Sequence, residues 1–233
     1  MAIRISAENQ AYSTTVSVPS ETYTVTWWAK VNVDRNGYST MWEPGSTSGT
    51  SVYTQIGPAS TGTNFEVHAD PGARNLTNLL EMPVVSASST AGWRCFAISQ
   101  TAANGTLRVG YGTDPDNMSW STVAAPTAGP WQTLRIGKSV WTGEWFNGSL
   151  ASWKQWSSVL TDAEAVAELK QYEHVRTANF VRRFDFKVPQ TVPSAGTGNL
   201  TAGVASPATV IGPDIPDTLT VPAINPNFFL SAL

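Results

Sequence analysis

Acid–base chemistry needs paired carboxylates, or a histidine beside a nucleophile, and this 233-residue chain offers few such groupings. Retaining hydrolysis of a glycosidic bond takes two carboxyl groups about 5–5.5 Å apart. On a single strand that means acids two or four positions apart, on one face. The nearest approach is Glu66, His68 and Asp70, at alternating positions of Glu66-Val67-His68-Ala69-Asp70. Asp70 runs directly into Pro71-Gly72, so a solvated strand end followed by a turn accounts for the same residues. The other histidine is His174, and no HxxH, CxxC or phosphate-loop pattern occurs. Cys95, the lone cysteine, lies in an alternating apolar stretch and reads as a buried structural thiol. No enzymatic chemistry is expected. For metals, Asp114, Asp116 and Asn117 form the best oxygen-rich group for a calcium ion. An Asx-type turn between strands explains them as well, and no other cofactor is suggested.

Binding is a better prospect than catalysis. Ten tryptophans is a high number for this length, and sugars stack their C–H faces on flat exposed rings. Trp27 or Trp28, Trp93 and Trp153 fall in strand-like stretches and are expected to fill a core. Trp141 and Trp145 differ, because they lie in a loop over residues 138–147, where core burial is not required. Tyr111 and Trp120 stand at expected strand ends. These four are the candidate sugar-contacting residues. Loop packing or a subunit contact is the competing use of such rings.

The elements that must position these residues are nearly all strands. Charged residues make up 13% of the chain, and Gly, Ser, Thr and Pro are abundant, a profile suited to a many-turned sandwich. Residues 21–33 carry the strongest strand pattern. Tyr23, Val25, Trp27, Ala29 and Val31 share one face, with Thr22, Thr24, Thr26, Trp28 and Lys30 on the other. Shorter strands are expected over 3–18 (two), 38–42, 51–56, 65–68, 79–86, 92–100, 106–111, 120–123, 131–136 and 149–156. The Asn104-Gly105 pair marks a hairpin. One helix is expected. Thr161 is its N-cap, Glu164 completes a capping box, and Ala163, Val166, Ala167 and Leu169 form its apolar stripe. The fold class is therefore all-β: a two-sheet antiparallel jelly-roll sandwich with one short helix late in the chain.

Beyond residue 187 the composition changes. Residues 188–233 hold seven of the fifteen prolines, and their only charges are Asp214 and Asp217. Proline at this density favours extended backbone, and the apolar end with Phe228, Phe229, Leu230 and Leu233 needs a cover. The segment reads as an arm that either wraps its own domain or docks on neighbouring subunits, with those four residues as assembly contacts. The expected division is a sandwich over 1–187 and an extended arm over 188–233.

Several of these residues carry a resemblance. Ile136-Gly137 closing a strand, the Phe146-Asn147-Gly148 turn, the strand over 150–156 and the helix start Leu160-Thr161-Asp162-Ala163-Glu164 resemble the closing segment of laminin-G-like, concanavalin A-like jelly-roll domains. Trp28 with Lys30 near it, and the strand over 92–98 with the hairpin over 104–111, are similar to earlier segments of that family. The resemblance covers residues 1–185. The family commonly places acidic residues just after the Phe-x-Gly turn, where this chain has Ala151 and Ser152. As a whole, the chain also resembles minor tail proteins of phages infecting actinobacteria.

That second resemblance implies a non-enzymatic virion protein of the minor tail or adhesion type. Its partners would be other virion proteins, copies of itself and host-surface glycans. A capsid decoration protein is the alternative, and a free lectin module or a glycosidase a more distant one. The net charge of −3 gives no electrostatic case for nucleic acid. The start of the chain shows no signal-peptide pattern, and no apolar run reaches membrane-spanning length. Synthesis in a host cytoplasm and residence in the virion are the expected localisation.

Overall fold

The computed structural model describes residues 1–18, 22–31, 39–45, 51–56, 64–70, 77–83, 92–101, 105–124, 131–141, 143–187, 193–197, 199–203, 205, 207–213 and 215. Its strands in chain order are β1 (Ala2–Ile5), β2 (Tyr12–Val18), β3 (Tyr23–Val31), β4 (Ser39–Gly45), β5 (Ser51–Ile56), β6 (Asn64–Asp70), β7 (Thr77–Pro83) and β8 (Arg94–Gln100). They continue as β9 (Thr106–Gly112), β10 (Ser119–Ala124), β11 (Trp131–Ile136), β12 (Gly148–Trp156), β13 (Phe180–Phe184), β14 (Ala195–Gly196), β15 (Thr201–Ala202) and β16 (Ala208–Val210), with one α-helix among the described residues, α1 (Asp162–Leu169), between β12 and β13.

Every ladder is antiparallel, and the strands form two sheets. The first runs β10-β9-β8-β3-β12-β1-β16, with β13 beside the later half of β12 and β14 beyond β13. The second runs β15-β2-β11-β4-β5-β6-β7. The expected jelly-roll sandwich is present.

Alternation along β3 sets the layering. Tyr23, Val25, Trp27 and Ala29 point between the sheets into the main core. There Trp27 stacks on Phe96 (centroids 5.2 Å apart) and meets Trp42 of the second sheet edge-on at 5.6 Å. Trp42 in turn contacts Trp153, and Trp153 contacts Phe184. Trp27, Trp42 and Trp153 are buried, so much of the high tryptophan content is core.

The opposite face of β3 carries Trp28, and there a second core lies beneath α1. Trp28, Cys95, Ala97, Ala151 and Trp156 of the sheet pack with Leu160, Ala165, Leu169 and Tyr172. The Trp28 indole donates to the Leu169 carbonyl at 2.9 Å. Thr161 and Glu164 form the capping box that starts the helix. The stripe differs from expectation: Ala163 is exposed, and the buried face is Ala165, Glu168 and Leu169. The helix lies on the sheet through the i, i+3, i+4 positions that start at Ala165. The next residue of that series is Tyr172, beyond the helix, whose hydroxyl donates to the Met1 carbonyl at 2.7 Å.

The division at residue 187 is not where the sandwich stops. β14 pairs with β13, β15 with β2 and β16 with β1, so the described part of the arm extends both sheets of its own domain. Leu200 is buried in the main core and Ile215 in the second. Of the two readings of the arm, wrapping holds as far as Ile215. Phe228, Phe229, Leu230 and Leu233 lie outside the described residues. No helix among the described residues is long and apolar enough to cross a membrane.

Candidate functional site

The loop between β11 and β12 is a closed hairpin. The Phe146 amide donates to the Gly137 carbonyl at 2.9 Å, Lys138 and Trp145 form a bridge, and the Ser139 amide donates to the Glu144 carbonyl at 3.0 Å. A turn at its tip brings the Glu144 amide to the Trp141 carbonyl. Gly137 makes the entry: its φ is +84°, and a Cβ there would lie 2.2 Å from Ile5 Cδ1.

Two carboxylates from distant parts of the chain pin this hairpin. Glu43 of β4 accepts from the Val140 amide at 2.9 Å and pairs with Arg135 at 3.4 Å. Glu8, in a short 3-10 turn, accepts from the Gly143 amide at 3.3 Å. These anchors carry no local signal, because they lie 97 and 135 positions from their partners and read locally as an ordinary strand and turn residue. Glu144, buried inside the hairpin, was also missed.

The four candidate rings take different places. Trp141 is half-buried at the hairpin tip, beside Val140, which is 53% exposed. Trp145 and Tyr111 are half-buried and pack against the main core. Tyr111 stands opposite Phe96 in β8, and β9 is three strands from β12, about 14 Å at ordinary strand spacing. Trp120 stands opposite Gly110 and belongs to the helix-side core. A Cβ at Gly110 would lie 2.6 Å from the Trp120 ring, so glycine there lets the indole lie on the sheet. The Arg108 guanidinium sits over the same ring, 5.3 Å from its centroid. Trp141 and Trp145 therefore share one hairpin, whereas Tyr111 and Trp120 stand on β9 and β10.

Asp114, Asp116 and Asn117 form a self-satisfied turn. Asp114 accepts from the Asp116 amide at 2.8 Å and from the Asn117 side chain at 2.7 Å, which holds its carboxyl below the usual range. The Asp116 carboxylate pairs with Lys170 at 2.5 Å. A resident ammonium and a carboxylate committed to its own loop leave little for a cation, and the donor set does not fit calcium. Among the described residues no group of three acidic, His or Cys side chains could hold a metal. His68 is buried in β6, while the side chains of Glu66 and Asp70 lie outside the described residues. Where the family's acids would stand, Ala151 faces the second core and Ser152 is buried in a bulge of β12 at φ 48°.

Several solved structures share this fold at low sequence identity. A protein from Bacteroides ovatus to which carbohydrate binding has been ascribed matches over 91% of this chain and 61% of its own, at 14% identity and a TM-score of 0.58. The CBM40 module of the Ruminococcus gnavus IT-sialidase matches over 72% and 96%, at 13% identity and 0.50. The enzymatically active domain of Bacteriophage CBA120 tailspike protein 2 matches over 80% and 32%, at 11% identity and 0.51.

The fold is a two-sheet antiparallel jelly roll. No family model matches the sequence, and no curated protein matches it. The chain thus spans under two thirds of the Bacteroides protein and about a third of the tailspike structure.

Proposed function

We propose that this chain is a non-catalytic glycan-binding module of a phage particle, of the minor tail or adhesion type. Its sugar contact is the hairpin carrying Trp141 and Trp145. The supporting observation is the anchoring of that hairpin by Glu43 and Glu8, which holds the half-exposed Trp141 ring in a fixed place. A preformed aromatic platform binds a sugar face without first losing loop entropy. The jelly-roll fold agrees with this reading, and the likeness to a tailspike domain agrees with the phage setting.

A glycan array probed with the wild type and with Trp141→Ala tests the site. Binding lost in the variant supports it, and an array unchanged by the substitution defeats it. Residues 216–233, with Phe228, Phe229, Leu230 and Leu233, are the proposed attachment to other virion proteins. Removing them should leave a folded sandwich that is missing from purified particles. Full incorporation of the shortened chain would end that part of the proposal.

A further inference from the structure

Two adjacent rungs of the β12–β13 ladder handle buried charge in opposite ways. Lys154 stands opposite Arg183 on the helix side, and both cations are paired there. Lys154 has Glu168 and three carbonyls, and Arg183 has Glu173 and Asp185. One position further, Gln155 stands opposite Arg182. Gln155 is also opposite Val25 of the main core, so this rung faces between the sheets.

Arg182 is 3% exposed, and its Nε and Nη1 have no hydrogen-bond partner. Gln155 is fully buried, with neither its amide oxygen nor its amide nitrogen bonded. Burial alone pulls the Arg182 pKa down, and no carboxylate contributes to the shift. The same end of the inner face carries another buried amide without partners, Gln100, opposite Tyr23. The main core is therefore aromatic through its middle and polar at this end.

A buried guanidinium with two nitrogens lacking acceptors is unfavourable, and arginine does not escape that cost by losing its proton. Its planar fork of N–H donors matches the two oxygens of a carboxylate. Gln155, on the neighbouring strand, adds a donor to the same space. We propose that the Arg182–Gln155 rung is a binding site for a carboxylate group, enclosed between the sheets and separate from the Trp141 hairpin. The guanidinium donates to the carboxylate from its unbonded Nε or Nη1, and the Gln155 amide nitrogen donates to one of its oxygens. The near-complete burial of both residues favours a small acid, or the acid group of a sugar entering tip first.

The test is thermal unfolding of the full chain in sodium acetate, sodium glucuronate, glucose and sodium chloride, the salts at matched ionic strength. The expected result is a rise in Tm of about 2–4 °C with a carboxylate and none with glucose or chloride. A response to acetate alone identifies a small acid, and a response to glucuronate at lower concentration identifies an acidic sugar. Arg182→Met, which removes the buried charge, should be at least as stable as the wild type without carboxylate and indifferent to adding it. Should that variant fail to fold, Gln155→Leu keeps the guanidinium and should need about tenfold more carboxylate for the same shift. Absence of any carboxylate response in the wild type overturns the site. So does an undiminished response in Arg182→Met, or in Gln155→Leu if that variant alone folds. Sugar binding at the Trp141 hairpin is scored separately on the array, so either site can fail alone.

Discussion

Lys154 Nζ lies 3.3 Å from the Glu168 carboxylate, with both side chains buried. The ammonium also donates to the carbonyls of Glu168, Gln171 and Glu173, while Glu168 accepts from the amides of Val175 and Arg176. One strand residue thus closes the C-terminal end of the helix onto the sheet. Removing the ammonium leaves a buried carboxylate and three carbonyls without their donor. Lys154→Met should lower unfolding free energy by about 3–5 kcal/mol in urea titrations at pH 7.

The same lysine gives a pH signature. Burial pulls its pKa down to about 8 from 10.5, against the opposing pull of Glu168. Between those values the unfolded chain binds more protons than the folded one, so this group's contribution to stability rises with pH. The gain is absent below pH 8, and by pH 10.5 it approaches about 3 kcal/mol. Comparing the wild type with Lys154→Met across pH 7 to 10.5 isolates it. A stability difference that stays flat over that window would contradict the assignment.

Thr161 and Glu164 satisfy each other's backbone amides at the helix start. Thr161→Ala should cost about 1 kcal/mol, read as a lower urea midpoint at unchanged slope.

Trp145 packs on the main core, whereas Trp141 stands at the hairpin tip. Trp145→Ala should therefore lower Tm through about 2–4 kcal/mol of lost packing. Trp141→Ala should leave Tm nearly in place and weaken glycan binding about tenfold or more, roughly 1.4 kcal/mol. Equal effects of the two on stability would mean that the tip ring is core as well.

Cys95 is fully buried and its thiol is pushed up to about 12, chiefly by burial. An aromatic disulfide reagent at pH 8 should label it only as fast as the chain unfolds, since the thiolate is the reactive form. Rapid labelling of the native chain would show the second core to be open.

Gly196 has φ +88°, and a Cβ there would lie 2.1 Å from the Val181 carbonyl oxygen. Gly196→Ala should detach β14 from β13 and cost about 1–3 kcal/mol, seen as faster amide exchange at Thr197, whose amide donates to that carbonyl.

Most of the sandwich was legible in the sequence because its strands alternate. β3 shows this best: five alternating apolar residues predicted an inner face, and four of them are in the main core. The capping box was legible because it is local. β13 was not foreseen, since Phe180-Val181-Arg182-Arg183-Phe184 puts two charges in the middle of a strand, and burying them depends on Glu173 for Arg183 and on the polar end of the core for Arg182. β14 to β16 were hidden for a different reason: two- and three-residue strands carry no period. At the candidate site the rings could be named from composition and loop position. Their placement could not, because it depends on Gly110 beneath Trp120 and on Glu43 and Glu8 at the hairpin.

β1 lies between β12 and β16, with Ile3 opposite both Leu150 and Thr209. During synthesis its first neighbour is made only after most of the chain, and its second later still. Until then an apolar strand of the main core has two open edges, the condition under which nascent chains associate with one another. Folding should therefore be slow for a domain of this size, and the yield of native protein should depend strongly on expression rate and temperature.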